Sequence, residues 1–184
     1  DAGANTGYTT LFFKKIFPSA HIISIEPEEN NYRVLRDTIT RNDLKNTIAT
    51  KSALWGTTES LAIDKTFRDE RAWAFRVKPT QESLVNNEGV SGITVRELIN
   101  KFDALYIDVL KIDIEGGEES VFRNAQEVAS FLPHVRYLAI EIHDETHMRP
   151  NIYDLLTKHG FSYFESGELT IARNMKFAHQ DAHS

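Results

Sequence analysis

Apolar residues follow two rhythms along this chain, and their alternation predicts its elements. After Asp1-Ala2-Gly3-Ala4-Asn5-Thr6-Gly7-Tyr8, the residues Leu11, Phe12, Ile16 and Phe17 recur at helical spacing. Thr6 or Asn5 is the expected cap of that helix, and Pro18-Ser19 ends it. His21 to Glu26 is a short apolar run closed by an acid, read as a buried parallel strand. Pro27 suits the first turn of the next helix, which runs to about Asn42 with Tyr32, Leu35 and Ile39 on one face. Thr47 to Trp55 reads as one further strand, closed by Gly56. Leu61–Ile63 and Trp73–Val77 read as shorter strands around a charged loop, Asp64 to Arg71.

The polar run from Gln81 to Gly92 has no period and is expected to be mobile. Thr94-Val95-Arg96-Glu97 is a capping-box pattern that opens a helix through Leu98, Ile99 and Phe102. Val109 to Ile114 reads as a buried strand, followed by Glu115-Gly116-Gly117-Glu118 and one helix to about Phe131. Val135 to Ile142 is another such strand, ending in Glu141-Ile142-His143. A helix from Ile152 to His159, strands Phe161–Phe164 and Leu169–Ala172, and a loose polar tail, Met175 to Ser184, complete the chain.

Apolar strands alternating with helices predict an α/β fold, a doubly wound and mostly parallel Rossmann-like sheet. Ligands of such sheets lie at the carboxyl ends of strands. The chemistry-bearing residues fall at those ends: Gly3 to Gly7, Glu26, Ser52, Asp113 with Glu115, and Glu141 with His143.

Composition narrows the picture. The 184 residues are enough for one domain with a sizeable core, and no linker or repeat divides them. Hydrophobic residues are 41% and charged residues 26%, which fits a globular protein rather than a disordered one. No apolar run approaches the roughly 20 residues of a membrane span. Without cysteine there is no disulfide framework and no thiolate metal site, so a cytoplasmic location is the simple expectation. A net charge of −6 weighs against a nucleic-acid partner. The apolar strand that should feed Asp1 is absent, and an intact protein extending upstream is expected.

The opening turn carries the first chemical clue. Its glycines let the backbone turn sharply and approach a ligand closely. Their spacing is not the Gly-x-Gly-x-x-Gly of dinucleotide sites, and the turn opens with a carboxylate. Asp1 would repel a diphosphate but attract a ligand bearing an ammonium and a sulfonium, such as S-adenosylmethionine.

Three motifs together, Asp1-x-Gly-Ala-Asn-x-Gly7, the pair Glu26-Pro27, and Leu110-Lys-Ile-Asp-Ile-Glu-Gly-Gly-Glu118, resemble the FkbM family of S-adenosylmethionine-dependent methyltransferases. The resemblance spans nearly the whole chain. It implies the class I methyltransferase fold, a seven-stranded sheet in the order 3-2-1-4-5-7-6 with its last strand antiparallel. It also implies O-methylation of a sugar or other small-molecule hydroxyl, with a small molecule or glycan as the acceptor. The strand before Asp1 would be the central one of that sheet.

On that basis Asp1, Gly3, Ala4, Asn5, Thr6 and Gly7 are expected to hold the methionine end of S-adenosylmethionine, with backbone N–H groups toward its carboxylate. Glu26, followed by Pro27, would accept the ribose hydroxyls; a strand-end acid favoured by the helix dipole is the plainer account. Ser52 and Ala53 are expected beside adenine, although ordinary strand residues would look the same. Asp113 shares a strand face with Lys111, so the two pair or Asp113 lines the methyl-transfer site.

Glu118 has an ordinary explanation as a first-turn acid, whereas Glu115 is a candidate for reaching the substrate. His143 is the best candidate base, with His147 a poorer one, and the histidines His179 and His183 in the tail are taken as surface. Asp113, Glu115, Glu141 and His143 are of types that bind divalent metals, but Lys111 competes for their charge, and no metal is assigned. The region from Asp64 to Gly92, with Trp73 and Phe75, is expected to form a lid over the acceptor. Rival readings are a nicotinamide-dependent oxidoreductase and a non-catalytic S-adenosylmethionine-binding module.

Overall fold

The computed structural model describes residues 1–64, 76–79, 89–143 and 147–178. The expected lid therefore lies mostly outside the described residues, Trp73 and Phe75 included, and so do His179 and His183. The described residues cluster into two compact units, one of Asp1–Leu54 with Thr58–Ile93 and one of Trp55–Thr57 with Thr94–Ser184.

In the first unit, helix α1 (Tyr8–Ile16) leads to strand β1 (Ile22–Ile25), helix α2 (Glu29–Arg41) and strand β2 (Thr47–Thr50). β1 and β2 pair in parallel, Ile22 opposite Thr47 through Ile25 opposite Thr50. The opening residues lie alongside β1. Asp1 N donates to Ile23 O and Ile25 N to Asp1 O, and Ala2 forms a parallel bridge with Ile25. The expected single strand from Thr47 to Trp55 is instead broken at Lys51-Ser52. Its second part, β3 (Ala53–Leu54), joins β4 (Ser60–Asp64), β5 (Arg76–Pro79) and β6 (Gly89–Ile93) in the order β3-β6-β4-β5. The expected mobile run thus ends in a paired strand.

The apolar rhythm located α1 correctly but not its buried face. Phe12, Ile16 and Phe17 are each more than half exposed, while Thr10 and Lys14 are buried. Two polar anchors set this rotation. Thr10 Oγ1 reaches Asp1 Oδ2 at 2.8 Å and Ser24 Oγ at 2.7 Å. Lys14 Nζ donates to Pro18 O and Ala20 O, closing the helix end with a cation. The helix is capped by left-handed Gly7, not by a side chain of Asn5 or Thr6. Pro27 precedes the cap of α2, whose first turn begins at Glu29; Glu28 caps it by accepting from Asn31 N at 2.8 Å.

In the second unit, Thr94 and Glu97 make both bonds of the capping box, and helix α3 (Val95–Lys101) follows. Strand β7 (Ile107–Ile112) ends earlier than expected, and Val109 is exposed. Helices α4 (Glu118–Arg123) and α5 (Ala125–Phe131) replace the expected single helix. Asn124 breaks it because its side chain caps α5, accepting from Gln126 N and Glu127 N. Strand β8 (Val135–Glu141), helix α6 (Arg149–Lys158) and strands β9 (Phe161–Ser166) and β10 (Leu169–Asn174) complete the unit. The sheet order is β7-β8-β10-β9; β7 and β8 run parallel, and β10 is antiparallel to both neighbours. Phe122 and Phe131 meet edge-on in its core, with centroids 6.1 Å apart. Residues 175–177, expected to be loose, form a short helical turn against Asn174, whose side chain accepts from Lys176 N.

Gly56 is where backbone meets backbone in this unit. A Cβ there would lie 2.1 Å from Ser120 O, and Gly56 N donates to Ser120 Oγ at 3.1 Å. Gly56→Ala must push α4 away, so its stability in urea denaturation is expected to fall by about 1–3 kcal/mol or more. A midpoint equal to that of the unsubstituted protein would refute this reading of the contact.

Candidate functional site

In the first unit the glycine turn and the tip of β1 form one hydrogen-bonded assembly. Gly3 N and Ala4 N both donate to Ile25 O, at 3.0 Å each. Asn5 N donates to Glu26 Oε2 at 2.8 Å, and Glu28 N donates to Glu26 Oε1 at 2.9 Å. Thr6 N is taken by Asn5 Oδ1 and Gly7 N by Ala4 O. The turn's own N–H groups are therefore engaged within the chain, contrary to the expectation that they point at a ligand. The first backbone bond of α1 runs from Leu11 N to Gly7 O, and Ala4 O is taken by Gly7 N, so Tyr8 and Thr9 stand in the helix's first turn, where N–H groups have no intrahelical partner.

Left-handed backbone at Gly3 (φ 73°), Asn5 (φ 50°) and Gly7 (φ 91°) makes the turn this tight. Gly7 also has a packing duty. A Cβ there would lie 2.9 Å from Leu35 Cδ1 and 3.3 Å from Thr38 Cγ2, so its missing side chain admits α2. Glu26 is 5% exposed. Burial pushes its carboxyl above the usual range, the two backbone donors oppose that shift, and nearby Glu28 reinforces it. Ser52 and Ala53 lie just past β2 and are buried. Ser52 turns its hydroxyl onto Lys51 O at 2.9 Å.

In the second unit the strand ends carry a histidine ringed by carboxylates. His143 Nδ1 lies 2.8 Å from Glu118 Oε1, while Nε2 lies 3.5 Å from Glu115 Oε2 and 3.4 Å from Glu141 Oε1. Asp113 pairs with Lys111 at 3.3 Å. Glu118 and the other carboxylates hold His143 above the usual imidazole range, against the opposing effect of burial. Burial, with Asp113, Glu168 and Glu115 nearby, raises Glu141.

Local backbone explains how the ring of carboxylates forms. Glu115 (φ 49°) and Gly116 (φ 82°) are both left-handed, which turns the chain back so that Glu118 enters the interior at the start of α4. Gly117 fits because a Cβ there would crowd Ile114 Cδ1 at 3.1 Å and Trp55 Cζ3 at 3.3 Å. Arg149 Nη2 donates to Ile142 O at 2.9 Å and steadies the backbone just before His143. Asp113, Glu141 and His143 each bring one ligand atom within 4.8 Å of the others, a spacing that suits a cation. Lys111 already answers the Asp113 charge.

The family model described as "Methyltransferase FkbM domain" matches residues 1–163. The chain belongs to the FkbM methyltransferase family. "Methyltransferase sdnD" of Sordaria araneosa is 27% identical over 188 residues, spanning 88% of this chain and 72% of that protein. Among solved structures, the "METTL16 MTase domain" superposes with a TM-score of 0.54 at 10% identity, over 94% of this chain and 57% of that one. A human methyltransferase 10 domain containing protein gives 0.53 at 11% identity, over 95% and 69%. At such identity these likenesses show the fold alone: a Rossmann-like class I α/β architecture. Parts of its strand order are visible within the units, as the β1-β2 pair and as β7-β8-β10-β9 with antiparallel β10. Among the described residues no helix is long and apolar enough to cross a membrane.

In this FkbM-family chain the structure gathers Asp1, Gly3 to Gly7 and Glu26 into one assembly, with Pro27 directly after it. It gathers Asp113, Glu115 and His143 into another. His147 is exposed. The sequence reading missed Thr10, Ser24 and Glu28, and it passed over Glu118. Each is a polar residue at a position that the apolar rhythm or a capping rule already explained, so nothing local marked it.

A raised carboxyl means that the folded chain holds the Glu26 proton more tightly than the unfolded chain does. The resulting stability is present below about pH 4.5 and is lost as pH rises through the folded value. In urea denaturations at successive pH values, the stability of Glu26→Gln relative to the unsubstituted chain should therefore grow as pH climbs above 4.5. A difference that is flat with pH would contradict the burial of this charge.

Proposed function

We propose that this chain is the catalytic domain of an S-adenosylmethionine-dependent methyltransferase acting on a hydroxyl of a small molecule or glycan. The observation that carries the reading is the buried Glu26 carboxylate bonded to the glycine turn. Its oxygens accept backbone N–H groups from Asn5 and Glu28 and a bond from the Asn31 side chain, and a carboxylate has about four lone-pair sites, so capacity remains for a ribose hydroxyl. Asp1 offers negative charge to the donor's ammonium, the N-terminus of α1 offers N–H groups to its carboxylate, and Ser52 with Ala53 borders the base. When bound, S-adenosylmethionine supplies a methyl group made electrophilic by its sulfonium.

On the protein side, a hydroxyl is a weak nucleophile, so a proton acceptor is needed. His143 fills that role in this proposal, with Asp113 and Glu115 beside the acceptor. Because neighbouring carboxylates keep His143 protonated to higher pH than usual, the rate should rise with pH through a midpoint above 6.5. His143→Gln should lower kcat by about 100-fold or more and abolish that limb. Undiminished turnover in the variant would remove His143 from the chemistry.

Titration calorimetry with S-adenosylmethionine and with NAD tests the donor assignment. Binding of the first alone is expected, weakened by roughly 1–3 kcal/mol in Glu26→Ala. Binding of NAD alone would favour the oxidoreductase reading. Tight S-adenosylmethionine binding without methyl release in an acceptor screen would make the chain a binding module.

A further inference from the structure

Glu118 is 2% exposed, yet it carries a carboxylate. Such a group is costly to bury unless something answers its charge and fills its lone pairs. His143 Nδ1, 2.8 Å from Oε1, does both. With the Glu118 oxygen as acceptor, the shared proton belongs to Nδ1. Nε2 is then the ring atom that gains and loses a proton.

Both partners sit on fixed supports. Glu118 opens α4, and Gly56 grips that helix through Ser120 Oγ and through close backbone contact. His143 follows Ile142, whose carbonyl accepts from Arg149 on α6. Arg149 is itself braced, since its Nη1 donates to the Tyr153 hydroxyl at 3.2 Å and that hydroxyl donates to Glu165 at 2.6 Å. The remaining groups that face the ring are Glu115 from the loop before α4 and Glu141 from β8. Asp113, paired with Lys111, follows β7, and Glu168 between β9 and β10 acts on Glu141. At 3.4 Å and 3.5 Å, the contacts of Nε2 are looser than that of Nδ1.

We propose that Glu118 is the positioning residue of this site: it holds His143 in the Nδ1–H tautomer and turns Nε2 toward the proton it must accept. The proposal rests on the reading of His143 as base. In the step, the acceptor oxygen gains the methyl group and loses its proton to Nε2, while the sulfur–methyl electron pair stays on sulfur. Glu118 meets the charge that the imidazole takes up. A first-turn acid serving only the helix dipole would do none of this, and would more naturally face water.

The test pairs nitrogen-15 NMR of His143 with pH–rate profiles in Glu118→Gln and Glu118→Asp. In Glu118→Gln the amide keeps the shape and loses the charge. His143 should titrate at lower pH and show a mixture of tautomers. The acid limb of kcat should move down with it, and the plateau above should drop by about tenfold, since a weaker and less oriented base takes the proton. KM is expected to hold within about twofold, because Glu118 touches neither substrate. Glu118→Asp keeps the charge on a shorter arm, so it should retain a raised His143 titration while losing plateau rate; it also serves if the Gln variant does not fold.

An unchanged tautomer and titration in a folded Glu118 variant would overturn the proposal, even if His143→Gln proves inactive. Full turnover in His143→Gln would instead overturn the base reading, and with it any part for Glu118 in the reaction.

Discussion

The bond from Asn5 N–H to Glu26 Oε2 makes one body of the glycine turn and the tip of β1. Glu26 is buried, and a buried carboxylate must be answered by donors. Asn5 and Glu28 supply backbone donors from either side, Asn5 from a left-handed conformation, and the Asn31 side chain adds a third. Thr38 Oγ1 then donates to Thr6 O, and Gly7 brings α1 and α2 into contact. Where the turn goes, two helices follow. The chain Asp1–Thr10–Ser24 beneath it dictates which side of α1 faces inward, and apolar Phe12 and Ile16 are turned to the outside as a result.

The second unit solves a related problem differently. Asp113, Glu115, Glu118 and Glu141 gather around one imidazole and one ammonium, a local excess of negative charge. Burial, reinforced by neighbouring carboxylates, raises Glu141, and the hydrogen bond to Glu118 with the other carboxylates raises His143. Groups with displaced titrations suit proton transfer, the role proposed above for His143. A cluster serving stability alone would gain more from apolar packing.

Much of the fold was legible in the order of residues. Strand and helix periods located nearly every element, and the capping box at Thr94 and Glu97 was read correctly to the residue. The errors have common physical causes. β2 and β3 were merged because an apolar run does not reveal that its halves pair with different strands. α4 and α5 were merged because Asn124 competes for backbone donors only once the chain can turn there. The face of α1 was inverted because polar anchoring outweighed apolar periodicity.

Sequence alone determined the kinds of element, the placing of acids and glycines at strand ends, and the likeness to a methyltransferase family, because these depend on local spacing and residue type. It could not say which donors Glu26 would meet, that the turn's N–H groups would be consumed internally, or that Glu118 would face His143 rather than water. Those outcomes join residues far apart in the chain, 21 positions for Asn5 and Glu26 and 25 for Glu118 and His143. A carboxylate prefers water unless the fold buries it against donors, and whether that happens is a property of the folded chain.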